Sequence, residues 1–159
     1  MIAFPEAVKV VELLAPAADA AGRTSAIYPS LKNVHRAWIV AHVNQGNAAT
    51  VALTPKQASA VAGTGTKVLA NAVPIWAGED LAASDALPRQ ADGTSFTTDA
   101  EVKHKIVVFQ IDPAKLDVAG GFDCIGLTTG ASSAANITSA VLIAEMRYGS
   151  AAPPSLIVD

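Results

Sequence analysis

Three histidines, one cysteine and a knot of aspartates are the side chains in this 159-residue sequence best equipped for metal or nucleophilic chemistry. His35 and His42 are seven positions apart, so on one continuous strand they face opposite sides, and His104 is remote in sequence. A joint metal site is therefore not expected. Asp112, Asp117 and Asp123 surround a single turn and could converge on Ca²⁺. Their spacing lacks the alternating carboxylates of a calcium loop, which favours an N-cap and turn carboxylates instead. Cys124 is the only cysteine, which excludes an intrachain disulfide and a multi-cysteine zinc site and leaves a small buried hydrophobe. Gly63-Thr64-Gly65 lacks the lysine and the following helix of a phosphate loop. Asn136-Ile137-Thr138 spells a glycosylation sequon, a short pattern that recurs by chance. Neither G-x-S-x-G nor H-E-x-x-H occurs. With no acid, base and nucleophile set to name, the expectation is no enzyme, no catalytic residue, no metal and no cofactor.

The elements that would hold such side chains are strands. Residues 103–130 read as the organising stretch. Along 105–111, Val107, Phe109 and Ile111 share one face while Ile106, Val108 and Gln110 share the other, and both faces are largely apolar. Asp112 is placed to cap a helical turn with Pro113 at its first position, and Gly120-Gly121 then reverses the chain. Residues 122–129 form a second strand, with Phe122 and Cys124 opposite Ile125 and Leu127. These two strands are expected to pair.

Elsewhere, a strand is expected over 8–14, stopped by Pro16, with a loop over 17–32. Residues 36–44 alternate as a strand, and Gln45-Gly46-Asn47 reads as the turn of a hairpin with 49–53. Thr54-Pro55-Lys56-Gln57 has capping-box spelling, but Gly63 leaves room for only about two helical turns, so a continued strand with a bulge is preferred. Further strands are expected over 67–76, 94–98 and 137–148, with a polar contact loop over 77–90. In the last strand Val141 and Ile143 oppose Leu142, Ala144 and Met146.

The net charge is −3 with 16% charged residues and a positive mean hydropathy of +0.36, which argues against nucleic-acid binding through a basic patch. The first residues lack a basic leader, and no apolar run reaches membrane-helix length, so a cytoplasmically made protein without a membrane partner is expected. Seven or eight strands, short turns and no long amphipathic helix predict an all-β fold: a single antiparallel two-sheet β-sandwich over 1–159, jelly-roll-like, with arms at 1–6 and 150–159. An immunoglobulin-like sandwich or a small barrel are the alternatives. The tail places Leu156, Ile157 and Val158 after Pro153-Pro154, and the start places Phe4 before Pro5. These five residues, Phe4, Pro5, Leu156, Ile157 and Val158, are the expected contacts, on a neighbour or on the chain's own domain.

The runs HVNQGNAATVALTPKQASAVAGTGTK, SFTTDAEVKHKIVVFQIDPAKLD, GFDCIGLTTGASSAANITSA and PPSLIVD resemble the head decoration, or cement, proteins of tailed bacteriophages. The resemblance covers most of the chain and rests on overall pattern rather than on one short motif. It implies a virion structural role on the capsid exterior, with a major capsid protein and further copies of the chain as partners, a trimer being the preferred state. Two other classes stay open: a carbohydrate- or receptor-binding sandwich of a phage adhesin or tail, and an enzyme or small-ligand carrier.

Overall fold

The computed structural model describes residues 3–158, leaving Met1, Ile2 and Asp159 outside the described residues. The alternating runs become ten strands: β1 (Val8–Ala18), β2 (Arg23–Thr24), β3 (Val34–Gln45), β4 (Ala52–Ala58), β5 (Lys67–Val68), β6 (Ile75–Gly78), β7 (Phe96–Thr97), β8 (His104–Ile111), β9 (Cys124–Thr129) and β10 (Asn136–Met146). One helical turn, α1 (Phe4–Ala7), precedes β1, and two 3-10 turns, Pro113–Lys115 and Val118–Gly120, separate β8 from β9.

Pairing is antiparallel throughout and builds two sheets. Sheet I has the order β1-β10-β3-β8-β6, and sheet II the order β2-β9-β4-β5, with β7 also pairing β4. Setting aside β6, the end strand of sheet I, and β7, which lies off the path of sheet II, the eight remaining strands place first beside eighth, eighth beside third and third beside sixth in sheet I. In sheet II they place second beside seventh, seventh beside fourth and fourth beside fifth. That interleaving is the two-sheet jelly roll. The inward residues Ile39, Val107, Phe109 and Leu142 of sheet I and Leu53, Ile125 and Leu127 of sheet II are all buried in one core. The face assignments along β8, β9 and β10 hold: Val107, Phe109 and Ile111 point inward, and Ala140, Leu142, Ala144 and Met146 do the same from β10.

Several expected connections are corrected. β8 and β9 do not pair; they belong to opposite sheets, and the two 3-10 turns carry the chain across the end of the sandwich. Asp112 caps the first turn by accepting from the Ala114 N–H, Asp117 caps the second from the Gly120 N–H, and Gly121 ends it at φ 83°, where a side chain would be strained. Gln45–Asn47 is a crossing between sheets rather than a hairpin, since β3 pairs β10 and β8 while β4 pairs β9. The run over 67–76 breaks into β5 in sheet II and β6 in sheet I. Pro16 does not stop β1. The strand continues to Ala18 with a register shift between Leu14 and Ala17, which an edge strand tolerates at a proline. β4 runs through Pro55 without a bulge, because Pro55 falls between the β7 partners Ala52 and Leu53 and the β5 partners Lys56 and Gln57.

The terminal segments fold back onto the sandwich. The Ser150 N–H donates to the Glu6 carbonyl at 3.0 Å, and the Ser30 N–H donates to the Leu156 carbonyl at 2.7 Å. Leu156 enters the main core at 3% exposure.

Candidate functional site

The outward face of sheet I is built by the half of each strand's alternation that the core does not use. Its register lays the side chains out in rows. The central row runs Glu12–Val141–Val40–Val108–Trp76 across β1, β10, β3, β8 and β6. The row on one side reads Val10–Ile143–Trp38–Gln110, and the row on the other reads Ser139–His42–Ile106–Gly78. Beyond these lie Val8–Glu145–Arg36 at one end and Ile137–Asn44–His104 at the other. Eight apolar side chains thus occupy the three middle rows. Most are half-buried, shielded by same-face neighbours and, at the β6 end, by Leu87 and Arg89 of the loop that follows.

Both tryptophans of the chain sit on this face. With Leu87, Val108 and Gln110 they line a shallow depression of about 310 Å³. Each ring carries a guanidinium, Arg36 at 5.7 Å from the Trp38 ring and Arg89 at 4.8 Å from the Trp76 ring. Arg36 also binds Glu145 at 2.9 Å, and that hydrogen bond holds the Glu145 carboxyl below its usual range. The polar loop expected over 77–90 thus meets this face through Leu87 and Arg89.

The expected contact residues divide. Phe4 is 61% exposed and Pro5 is exposed beside it in α1; Ile157 and Val158 are exposed on the tail. Leu156 is not available to a neighbour, because its side chain is part of the chain's own core. Residues 155–157 line a common groove with Lys9, Val10, Val11 and Glu12 of β1, which sets the tail beside the edge of sheet I that carries exposed Val10. The expected Met1 and Ile2 portion of the arm lies outside the described residues.

The remaining candidates resolve into structural parts. The aspartates stay apart in role: Asp112 caps a turn, Asp117 pairs with Lys67 and Asp123 pairs with Lys32 at 3.4 Å. Among the described residues no group of three or more metal-ligating side chains occurs. His42 and His104 stack with ring centroids 6.0 Å apart, a neighbourhood that β3–β8 pairing creates and sequence separation hides. Cys124 is buried with Tyr28, Ala58 and Val61 in a second small cluster. Asn136 is fully buried, its amide donating to the Ala49 carbonyl and the Ser132 hydroxyl, so the sequon offers no accessible acceptor in the folded chain.

One polar centre was not anticipated. Lys105 is fully buried at the start of β8, and its ammonium binds the Asp99 carboxylate, the Asp99 carbonyl at 3.1 Å and Glu79 at 3.4 Å. Buried Gln45 donates to the same carbonyl at 2.7 Å and accepts from Thr98 at 2.8 Å. Burial opposes the charge on Asp99, yet the hydrogen bond from Lys105 holds its carboxyl below the ordinary value. This cluster latches the segment between β6 and β8 onto the end of the sandwich. Its signal was in the alternation, since Lys105 is in phase with Val107 and Phe109. Among the described residues no helix is long and apolar enough to cross a membrane. Compared with known proteins, the chain matches no family model and no curated protein.

Proposed function

We propose that this chain is a non-enzymatic virion structural protein that seats on the outside of a tailed-phage head and reinforces it. The observation that carries this reading is the outward face of sheet I, a largely apolar surface spanning five strands, joined at its β1 edge by exposed Val10 and Ile157. Apolar patches of this extent rimmed by polar residues mark protein contact surfaces. A protein on a shell surrounds itself with neighbours and capsid, so both the face and the edge find cover there. The major capsid protein is the proposed partner of the edge, where Phe4, Pro5, Ile157 and Val158 bury apolar area.

The test is binding to heads produced by the genome that encodes the chain. Saturable co-migration of purified protein with undecorated heads in a density gradient, weakened by Phe4→Ser with Ile157→Ser, is the expected result. No co-migration at micromolar protein would overturn the reading.

A second reading, a glycan-binding sandwich of an adhesin or tail, draws on Trp38 and Trp76 sharing one depression. It ranks below the first because Arg36 and Arg89 already lie over the two rings. Saturable binding on a glycan array, lost in Trp76→Ala, would reverse that order.

A further inference from the structure

We infer that the outward face of sheet I is the seat of a second copy of this chain, paired face to face about a two-fold axis that runs parallel to the strands near Val40. Three observations select this occupant. The first is area. At roughly 33 Å² per paved sheet position, the five rows give on the order of 600 Å² of projected surface, and side-chain relief brings this close to the ~800 Å² that a standard interface takes from each partner.

The second is the shape of the face. Its central rows carry Val10, Ile143, Val141, Val40, Val108 and Ile106 on a continuous sheet, with Trp38 and Trp76 around a shallow depression toward the β6 end. Two such sheets pack aligned, about 10 Å apart, as the halves of a sandwich do. The outward face would thereby gain the layer that the inward face already has.

The third is charge. Rotation about an axis parallel to the strands leaves each row opposite itself but exchanges the β1 and β6 edges. The central row carries exposed Glu12 at its β1 end and Arg89, stacked over Trp76, at its β6 end. The pairing therefore sets Glu12 of each copy toward Arg89 of the other, twice. Arg89 is already held by Asp92 and by the Ile75 and Gln90 carbonyls, which fixes the guanidinium in place to receive it. An isologous contact of this kind closes as a dimer; the trimer implied by the resemblance would need two different surfaces on each copy.

The experiment is sedimentation equilibrium of the purified full chain with no phage particle present, so its outcome is independent of head binding. The wild type is expected at twice its 16.2 kDa mass at about 100 µM, and Val40→Asp, beside the axis, is expected to weaken association at least ~10-fold. Glu12 is exposed at an edge, so Glu12→Arg leaves the fold intact and is expected to weaken the dimer by about 10-fold, with Arg89→Glu added to the same chain restoring part of the loss. A monomer at about 100 µM, a trimer, or a dimer indifferent to both Val40→Asp and Glu12→Arg would overturn the inference.

Discussion

The two sheets of this sandwich turn very different outer faces to their surroundings. On sheet II the outward row across β2, β9 and β4 is Thr24–Thr128–Thr54, and Lys56 and Gly126 follow in the next row. Where that face becomes apolar the chain covers it with its own segments: Tyr28 and Val61 lie with Ala58 and Cys124 in the small second cluster. Gly126 is what lets Tyr28 approach, since a Cβ there would stand 2.5 Å from the ring. On sheet I the equivalent central row is Val141–Val40–Val108–Trp76, and the loop after β6 reaches over it only at the Trp76 end, through Leu87 and Arg89. The chain thus covers the apolar part of one outer face and leaves most of the other uncovered, which is the difference that the proposed contact draws on.

The largest effects should separate the two sides of sheet I. Phe109→Ala removes a fully buried ring from the core and is expected to cost about 3–5 kcal/mol. Val108→Thr, one residue away on the outward face, is expected to cost less than about 1 kcal/mol. Urea unfolding of both variants at a concentration where the chain is monomeric makes the comparison, and equal losses would erase the distinction between the faces.

The tail sharpens the same contrast on a smaller scale. Leu156→Ala opens the core and is expected to cost about 2–5 kcal/mol, while Ile157→Ser with Val158→Ser, both exposed, should leave the melting temperature within a degree or two. A melting temperature unmoved by Leu156→Ala would place the tail off the domain.

On sheet II, Gly126→Ala drives a methyl group into the Tyr28 ring and is expected to cost about 1–3 kcal/mol, the signature of an already filled cover. Thermal unfolding of that variant indistinguishable from wild type would show the cover to be loose.

The smallest predicted effect is on pH dependence. Asp99 has its folded-state pKa depressed beside Lys105, so its contribution is present above the unfolded value of about 4 and is lost as pH falls through the folded one. Asp80, Asp117 and Glu145, also depressed by their cationic partners, act in the same acid window. Asp99→Asn should therefore be less stable at neutral pH yet show a shallower fall in unfolding free energy below about pH 4. Parallel curves for variant and wild type would mean that the Asp99–Lys105 contact adds nothing to the pH dependence.

The alternation of Val107, Phe109 and Ile111 against Ile106, Val108 and Gln110 was legible because a two-residue period reports faces directly, and it carried the sandwich class with it. Connectivity was not legible. Pairing between sequence neighbours is a local inference, whereas in this jelly roll β8 and β9 separate into different sheets and β3 pairs with β10 from the far end of the chain. The same limit hid the site. Val108 and Val141 read as one side of their strands, and Val40 and Trp76 fall in expected strands, but only the register joins the four into a row. Leu156 was visible as an apolar residue after prolines, though nothing local says whether such a residue turns to its own core or to a neighbour.

Both tryptophans lie on the outward face of sheet I, so tryptophan fluorescence, excited where tyrosine does not absorb, reports on that face. Acrylamide quenching measured across a dilution series, for wild type and for Val40→Asp, tests most directly whether the face is a contact surface. Quenching should be weak in concentrated wild type, rise on dilution, and stay high at every concentration in Val40→Asp. Quenching constants that are the same for both proteins and do not change with concentration would contradict the account.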